Sequence, residues 1–413
     1  MKSSTTDSFL KLISYCENES FKGWDPYDGL NSKLFQATLL RKSPLARLIL
    51  IQAMKRSPVN LRQLLRVPKE HNPKALGLFL TGYCNLYELL REEPNFFEGE
   101  ITASHCEEMI HTVSGKLIER ISNGYSGACW GYNFDWQARK ILYFPKYTPT
   151  VVVTAFVARA LFQAYEITRD QNLLSTALSS ADFVMNDLKR TPKERGFLFS
   201  YSPLEGNNTV YNASLLGSKL LALCYHYTGN KEYLNASWES VRACIDAQED
   251  DGSWVYGEHP VQTWKDSFHT GYNLEALLFY QRYTGDDSFS ENIQRGLSYY
   301  FNTFFLPDGT PKYYHDRIYP VDIHCPAQLP VTLHHAGLYD DHKERVDTVL
   351  RWTIENMQDR RGYFYFQLKK GISSKIPYMR WSQAFMFYAF SYYFKSLLSI
   401  TPQVNELHAT ERN

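Results

Sequence analysis

Leu220-Leu-Ala-Leu-Cys-Tyr-His-Tyr-Thr-Gly-Asn-Lys-Glu-Tyr-Leu234 and Ala276-Leu-Leu-Phe-Tyr-Gln-Arg-Tyr-Thr-Gly-Asp-Asp-Ser-Phe289 follow one design. Each reads as an apolar helix, a polar turn and the start of a second, amphipathic helix. Ala160-Leu-Phe-Gln-Ala-Tyr-Glu-Ile-Thr-Arg-Asp-Gln-Asn-Leu-Leu174 is a looser copy, and Leu338-Tyr-Asp-Asp341 occupies the same turn once more. The shared threonines are Thr168, Thr228 and Thr284, at separations of 60 and then 56 residues. A period of this size with two helices per unit predicts an array of helical hairpins.

The second helices end alike. Gln248-Glu-Asp-Asp-Gly-Ser-Trp254 and Gln358-Asp-Arg-Arg-Gly-Tyr-Phe364 share Gln, three residues, Gly, one residue and an aromatic. Leu306-Pro-Asp-Gly-Thr-Pro-Lys-Tyr313 and Arg195-Gly-Phe-Leu-Phe199 are variants of this ending. The glycine is expected to supply a left-handed helix cap, and the aromatic to staple the exit loop to the core. Long polar and aromatic loops then lead to the next apolar helix, and loops of that length commonly shape a site.

Working outward, clear repeats run from Tyr147 to Phe366, and Met379–Leu398 supplies one further apolar helix. The remaining helices must come from the first 125 residues, with candidates at 32–53, 75–92 and 104–123. The expected architecture is all-α: an (α/α)6-type toroid of five to six hairpins with inner and outer helix rings. A straight solenoid would leave the very apolar first helices exposed along one face, and closure buries them. The expected organisation is one toroid over 1–413, with divergent, locally basic hairpins over 1–125, clear repeats over 126–398 and a tail at 399–413.

Composition fits this reading. Hydrophobic residues make up 44% and charged residues 21% of the 413, so the chain can bury a large core. Lys+Arg and Asp+Glu are equal at 44 each, which argues against a protein that coats polyanions. The longest apolar run, 150–165, is cut by Arg159, and 1–20 does not read as a secretion signal. Seven scattered cysteines without a C-x-x-C pair suit reduced, structural thiols, and the expected location is cytoplasmic.

The Gln-x3-Gly-x-Trp ending is similar to the repeat motif of terpene cyclases and other α/α toroids. Six-hairpin glycosidases, uronate lyases and epimerases, and N-acylglucosamine 2-epimerases resemble the chain at the same architectural level. Gly23-Trp-Asp-Pro-Tyr-Asp-Gly29, Trp130-Gly-Tyr-Asn-Phe-Asp-Trp-Gln137 and Arg380-Trp-Ser-Gln-Ala384 resemble α/α-toroid proteins of bacterial exopolysaccharide and capsule gene clusters. That resemblance implies a fold and a context of polysaccharide biosynthesis. The chemistry has to be argued from the site.

In such a toroid the inner helices aim their N-termini at one face, where a ligand would sit. Asn273, Gln328 and Gln383 recur at intervals of 55, each near the start of an inner helix, and His269 and His324 are also 55 apart. Equivalent side chains of neighbouring hairpins should face one cavity. The amides also fit helix caps or bridges between hairpins. Imidazole is the usual proton carrier near neutral pH, so His269 and His324 are the candidate proton-transfer pair. Asp266 and Asp322 precede them by three and two residues, placed either to orient an imidazole or to cap a helix. Glu275 is expected to turn away.

Asp135 is a further candidate acid or base, with Arg139 close by and Trp130, Tyr132, Trp136 and Tyr147 offering aromatic faces for sugar rings. Glycoside hydrolysis would pair Asp135 with Asp322, Asp266 or Asp28. Epimerisation or β-elimination would use the two histidines, with Tyr272 a possible lyase acid. Arg139 and Arg380 are placed to neutralise a carboxylate or phosphate. Trp136, Arg139, Tyr272, Asn273, Asp322, Gln328, Arg380 and Gln383 therefore form the expected substrate-binding set around His269, His324 and Asp135.

Between 31 and 75, ten basic residues (Lys33, Arg41, Lys42, Arg47, Lys55, Arg56, Arg62, Arg66, Lys69 and Lys74) meet one acid, Glu70. This local excess suggests an anionic glycan, a polyprenyl-diphosphate carrier or a membrane surface, and equally fits a solvated helix face. No nucleic-acid partner is expected. There is no phosphate-binding glycine loop and no D-x-D-D acid motif, and His324, Cys325 and Cys129 lack zinc-ligand spacing, so no cofactor or metal is expected. The sequence thus predicts a carbohydrate-active enzyme of polysaccharide biosynthesis, whether epimerase, lyase or hydrolase, acting on a glycan or lipid-linked oligosaccharide. The alternative is a non-catalytic glycan-binding or assembly protein using the same cavity.

Overall fold

The structure is a computed structural model describing residues 4–138 and 142–398. Its described residues form fourteen α-helices. In chain order these are α1 (Ser4–Asn18), α2 (Lys33–Gln36), α3 (Pro44–Arg56), α4 (Pro73–Glu92), α5 (Ala103–Ile118), α6 (Val151–Thr168) and α7 (Gln171–Asp182). They continue with α8 (Tyr211–Thr228), α9 (Lys231–Ile245), α10 (Ser267–Thr284), α11 (Ser290–Phe304), α12 (His324–Ala336), α13 (Lys343–Met357) and α14 (Ala384–Leu397).

Helices α4, α6, α8, α10, α12 and α14 pack each on the next, and α14 packs back on α4. This closed inner ring is the expected toroid. Its members are apolar nearly all round, as in the Val151-Val-Val-Thr-Ala-Phe-Val157 opening of α6, because both faces are covered. Helices α5, α7, α9, α11 and α13 form the outer ring and are apolar on one side only. The sixth outer position is filled by α1, which packs against α13 and α14. The hairpin begun by α14 is therefore completed from the other end of the chain.

The repeated Thr-Gly-Asp turn has a mechanical explanation. Thr228 Oγ1 donates to the Cys224 carbonyl (2.8 Å) and accepts from the Asn230 amide (3.2 Å), and Thr284 does the same with Tyr280 and Asp286 (2.7 and 3.2 Å). Gly229 and Gly285 follow in the left-handed conformation, with φ of 68° and 73°. Asn230 and Asp170 then cap α9 and α7 through their side chains.

The Gln-x3-Gly glycines are left-handed as expected, but they do not cap helices. Helix α9 already ends at Ile245 and α13 at Met357, ahead of Gly252 and Gly362. A Cβ at Gly196, Gly252, Gly309 or Gly362 would collide with the backbone carbonyl of Glu239, Arg295, Thr348 or Lys11, respectively, each on the following outer helix. The glutamine completes the joint. Gln248 Nε2 donates to the carbonyls of Gly252 (3.0 Å) and Asn292 (2.9 Å), and Gln358 Nε2 to those of Gly362 (3.0 Å) and Ser8 (2.9 Å). The motif clamps neighbouring outer helices together, and its last copy clamps α1.

The helix expected over 32–53 is broken. Ser32 caps the single turn α2, and Ser43 with Pro44 restarts the chain as α3 after a 3-10 turn at Leu39–Lys42. The helices expected over 75–92 and 104–123 are α4 and α5. Three short antiparallel strand pairs decorate the loop face. They are Trp136–Ala138 with Leu142–Phe144, Arg190–Pro192 with Phe197–Phe199, and Val321–Asp322 with Gln367–Leu368. All seven cysteines are buried and unpaired.

Candidate functional site

The N-termini of the inner helices open onto one face, and the segment 19–72 lies across that mouth. Trp24 bridges Tyr378 through its backbone, and Asn31 Nδ2 donates to the Asn133 carbonyl (2.9 Å). Here the three stretches quoted for the family resemblance converge. Arg380 forms a two-pronged ion pair with Asp25, its Nη2 2.9 Å from Oδ1, while its guanidinium lies 4.9 Å from the Tyr132 ring centroid. Arg62 secures the same loop, donating to Asp28 (2.7 Å) and to the Asp25 carbonyl (2.6 Å). Both ion pairs are buried, and burial lifts the Asp28 carboxyl to about 7 even beside Arg62.

His269 stands in the first turn of α10. The Asp266 side chain caps that helix by accepting from the His269 amide (3.0 Å) and also meets the ring Nδ1 (2.7 Å). Trp264 Nε1 donates to the same carboxylate oxygen (2.8 Å). The carboxylate accepts the N–H of the Nδ1 tautomer, which leaves Nε2 as the ring nitrogen that Asp266 does not engage. A cavity of about 10 Å³, room for a single water, lies against His269, Asp266, Asn273 and Tyr256.

His324 is different. It is buried at the first residue of α12, stacked on Trp381 (centroids 4.2 Å apart, planes at 10°), and neither ring nitrogen has a hydrogen-bond partner. Asp322 does not orient it. That carboxylate accepts from the His324 amide (3.0 Å), Gln367 (2.6 Å) and Trp381 Nε1 (2.9 Å), which makes it a cap and a bridge. Burial, reinforced by the charges of Lys74 and Arg380, pushes the His324 imidazole well below its ordinary range, so it is neutral. Both histidines lie against one ring, Phe268, at 4.2 Å for His269 and 4.8 Å for His324 by centroid.

Lys74, counted in the sequence only as part of the basic excess, sits inside the ring near the start of α4. Its Nζ lies 4.3, 5.1 and 5.0 Å from the ring centroids of Phe156, Tyr272 and Phe385, and it has no ion pair among the described residues. Burial, and then the Arg380 charge, pull its amine well below the usual lysine range. Tyr272 is buried beside it with an unpartnered hydroxyl, and its phenol is pushed well above the ordinary value by burial. Buried, unpartnered groups of this kind cluster at functional sites more often than elsewhere.

The other expected residues divide. Asn273 and Gln328 are buried with free amide oxygens, and Gln328 Nε2 donates to Glu275 (3.2 Å). Glu275, expected to turn away, is instead buried in the ring and paired with Lys219 at 2.6 Å. Gln383 is consumed by backbone: it accepts from the Phe364 amide (2.7 Å) and donates to the Phe364 carbonyl (2.9 Å). The reason is register. Asn273 lies well inside α10, whereas Gln383 ends a π-helical turn, Met379–Gln383, that precedes α14.

Asp135 lies at the rim, accepting from the Lys146 amide (2.8 Å), and among the described residues it forms no hydrogen bond or ion pair with either histidine. Trp136 stacks on Phe144 and reaches the site through an aromatic chain, Trp136–Tyr27–Trp381–His324. Trp130 is core, its indole donating to the Leu117 carbonyl. Arg380 is committed to Asp25, and Arg139 lies outside the described residues. No group of three His, Cys, Asp or Glu side chains among the described residues is arranged to hold a metal.

No family model matches the sequence, and no curated protein matches it significantly. Solved structures do match in fold. Cellobiose 2-epimerase from Bacillus thermoamylovorans superimposes with a TM-score of 0.60 at 14% identity, over 80% of this chain and 90% of that one. A sugar epimerase from a ruminal bacterium gives 0.59 at 14% identity, over the same shares. A GH76 α-mannanase of Bacteroides thetaiotaomicron gives 0.55 at 12% identity, over 79% and 86%. In fold, the chain is an α/α toroid of the six-hairpin glycosidase-like kind.

Proposed function

We propose that the protein is a carbohydrate-active enzyme that moves protons at a sugar carbon, as an epimerase does. The observation that carries this is an Asp266-oriented His269 and a neutral, unpartnered His324 that both lie against Phe268. Proton abstraction beside a carbonyl needs a base with a free lone pair and a second group to return the proton. His269 Nε2 supplies the first, and His324 or the Tyr272 hydroxyl the second. The aromatic walls of Tyr27, Trp136 and Trp381 suit the C–H faces of a sugar ring.

Hydrolysis is supported less well, because it needs two available carboxylates. Asp25 and Asp28 are held by arginines, Asp322 accepts three hydrogen bonds, and Asp266 serves His269. The epimerases among the structural neighbours favour a reducing sugar as substrate. A lipid-linked oligosaccharide, polysaccharide biosynthesis and a cytoplasmic location belong to the same proposal; seven unpaired thiols agree with the last.

The test is incubation with a panel of reducing mono- and oligosaccharides in D₂O, read by mass spectrometry. Deuterium gained at carbon without cleavage, and absent with His269→Ala, is expected. Cleavage would replace the epimerase by a hydrolase or lyase. Saturable sugar binding without any exchange, retained in His269→Ala, would favour a glycan-binding protein.

A further inference from the structure

The segment across the mouth carries surface that a water-facing lid does not need. Thirteen large apolar side chains are exposed among the described residues, and seven of them fall between 34 and 64. Leu39 is 82% exposed, Leu64 72%, Val59 62%, and Leu40 and Ile49 58% each. On α3 the exposed stripe is Leu45, Ile49 and Ala53, at four-residue spacing, while Ile51 and Met54 face inward. The helix is therefore apolar on both sides, and only one of them is covered.

The structure also sorts the ten cations of 31–75. Arg62 is tied to Asp28, Lys69 to Glu19 and Lys55 to the Tyr27 hydroxyl, Arg47 donates to Gln137, and Lys74 is buried in the ring. Lys33, Arg41, Lys42, Arg56 and Arg66 are exposed and form no ion pair among the described residues. They lie in the same stretch as the exposed leucines: Leu39 and Leu40 run directly into Arg41 and Lys42, and the α3 stripe ends at Arg56.

We infer that α2, the turn at Leu39–Lys42 and α3 form a docking surface for an anionic lipid bilayer. Apolar side chains enter the headgroup boundary, and unpaired Lys and Arg meet the negative surface beside them. A second copy of the chain fits poorly, because a two-fold contact would press this cationic patch against itself. The contact is peripheral. The one described helix long and apolar enough to cross a membrane, α6, belongs to the inner ring. Docking in this way turns the toroid mouth toward the bilayer, since the patch belongs to the segment that lies over it. This goes beyond the proposed sugar chemistry and does not depend on it.

The experiment is co-sedimentation of the full chain with vesicles of phosphatidylcholine alone or with about one-third phosphatidylglycerol. Binding to the anionic vesicles only, and release by salt, is expected. Each of Arg41→Ala, Lys42→Ala and Arg56→Ala should weaken partitioning about fivefold. Leu39→Asp with Ile49→Asp should abolish it while leaving the thermal midpoint unchanged, since both side chains are exposed. No binding to anionic vesicles, or undiminished binding by the double variant, overturns the proposal. So does a dimer in solution that the same two substitutions dissolve, which would assign the patch to a second copy.

Discussion

Asp266 holds His269 at two points, accepting from its backbone amide and from its ring Nδ1. One carboxylate thus starts the helix and sets the tautomer of the residue that helix presents. Asp266→Asn separates the two duties, because asparagine caps a helix as well as aspartate does but cannot stabilise a charged imidazolium. The expected result is a stability within about 0.5 kcal/mol of wild type. Sugar C–H exchange should fall by about 10²-fold or more. Paired melting and exchange measurements check both, and a large loss of stability with intact turnover would refute the assignment.

Lys74 is costly to bury, so Lys74→Met should leave the fold as stable or raise it by about 1–3 kcal/mol. If the amine faces substrate, exchange activity is lost in the same protein. Urea titration and the D₂O assay on one sample decide the matter. A destabilised variant would mean that the three-ring cage depends on the ammonium.

Three buried histidines make the protein acid-sensitive. Burial holds His324 and His335 well below the ordinary imidazole range, and His334 down at about 3. A base with a depressed folded-state pKa binds fewer protons folded than unfolded. Its penalty is absent above about pH 6.5 and grows as pH falls toward the folded value. Each such group contributes at most about 1.4 kcal/mol of lost stability per pH unit. His335→Gln should therefore flatten the fall in unfolding free energy between pH 6.5 and 5 by about that slope. Parallel wild-type and variant curves would show that His335 is not held neutral.

Gly362→Ala places a Cβ against the Lys11 carbonyl at a φ of 98°. The strain alone is worth about 1–3 kcal/mol, and the collision adds to it. A drop of the thermal midpoint is expected, and Gly371→Ala provides the control. Gly371 has the same sign of φ but open space around it, so it should show the backbone cost without the collision.

The hairpin array was legible because its joints are local. The Thr-Gly-Asp turn and the Gln-x3-Gly clamp each need particular side chains at fixed spacing, and both recur. Helix α1 carries neither signature, so its place in the outer ring could not be read from periodicity. The histidine pair was found by its 55-residue interval, but the interval does not preserve helix register, which is why Gln383 binds backbone while Gln328 reaches Glu275. Lys74 was hidden among nine other cations. Its burial comes from α6, α10 and α14 closing around it, which no local pattern records. Asp25 likewise gives no sign of an arginine 355 residues away.

The position of α1 has a consequence for how the protein is made. Phe9 lies against Phe97, but also against Phe387, Phe390 and Phe394 of the last inner helix. On the ribosome α1 emerges long before α14, so the three rings of α14 that cover Phe9 arrive late. Until α14 has emerged, Phe9 is apolar surface without most of its native aromatic partners. A chain that stops before α14 keeps most of the hairpins and still leaves Phe9 without three of its four ring partners, and such uncovered apolar surface favours aggregation.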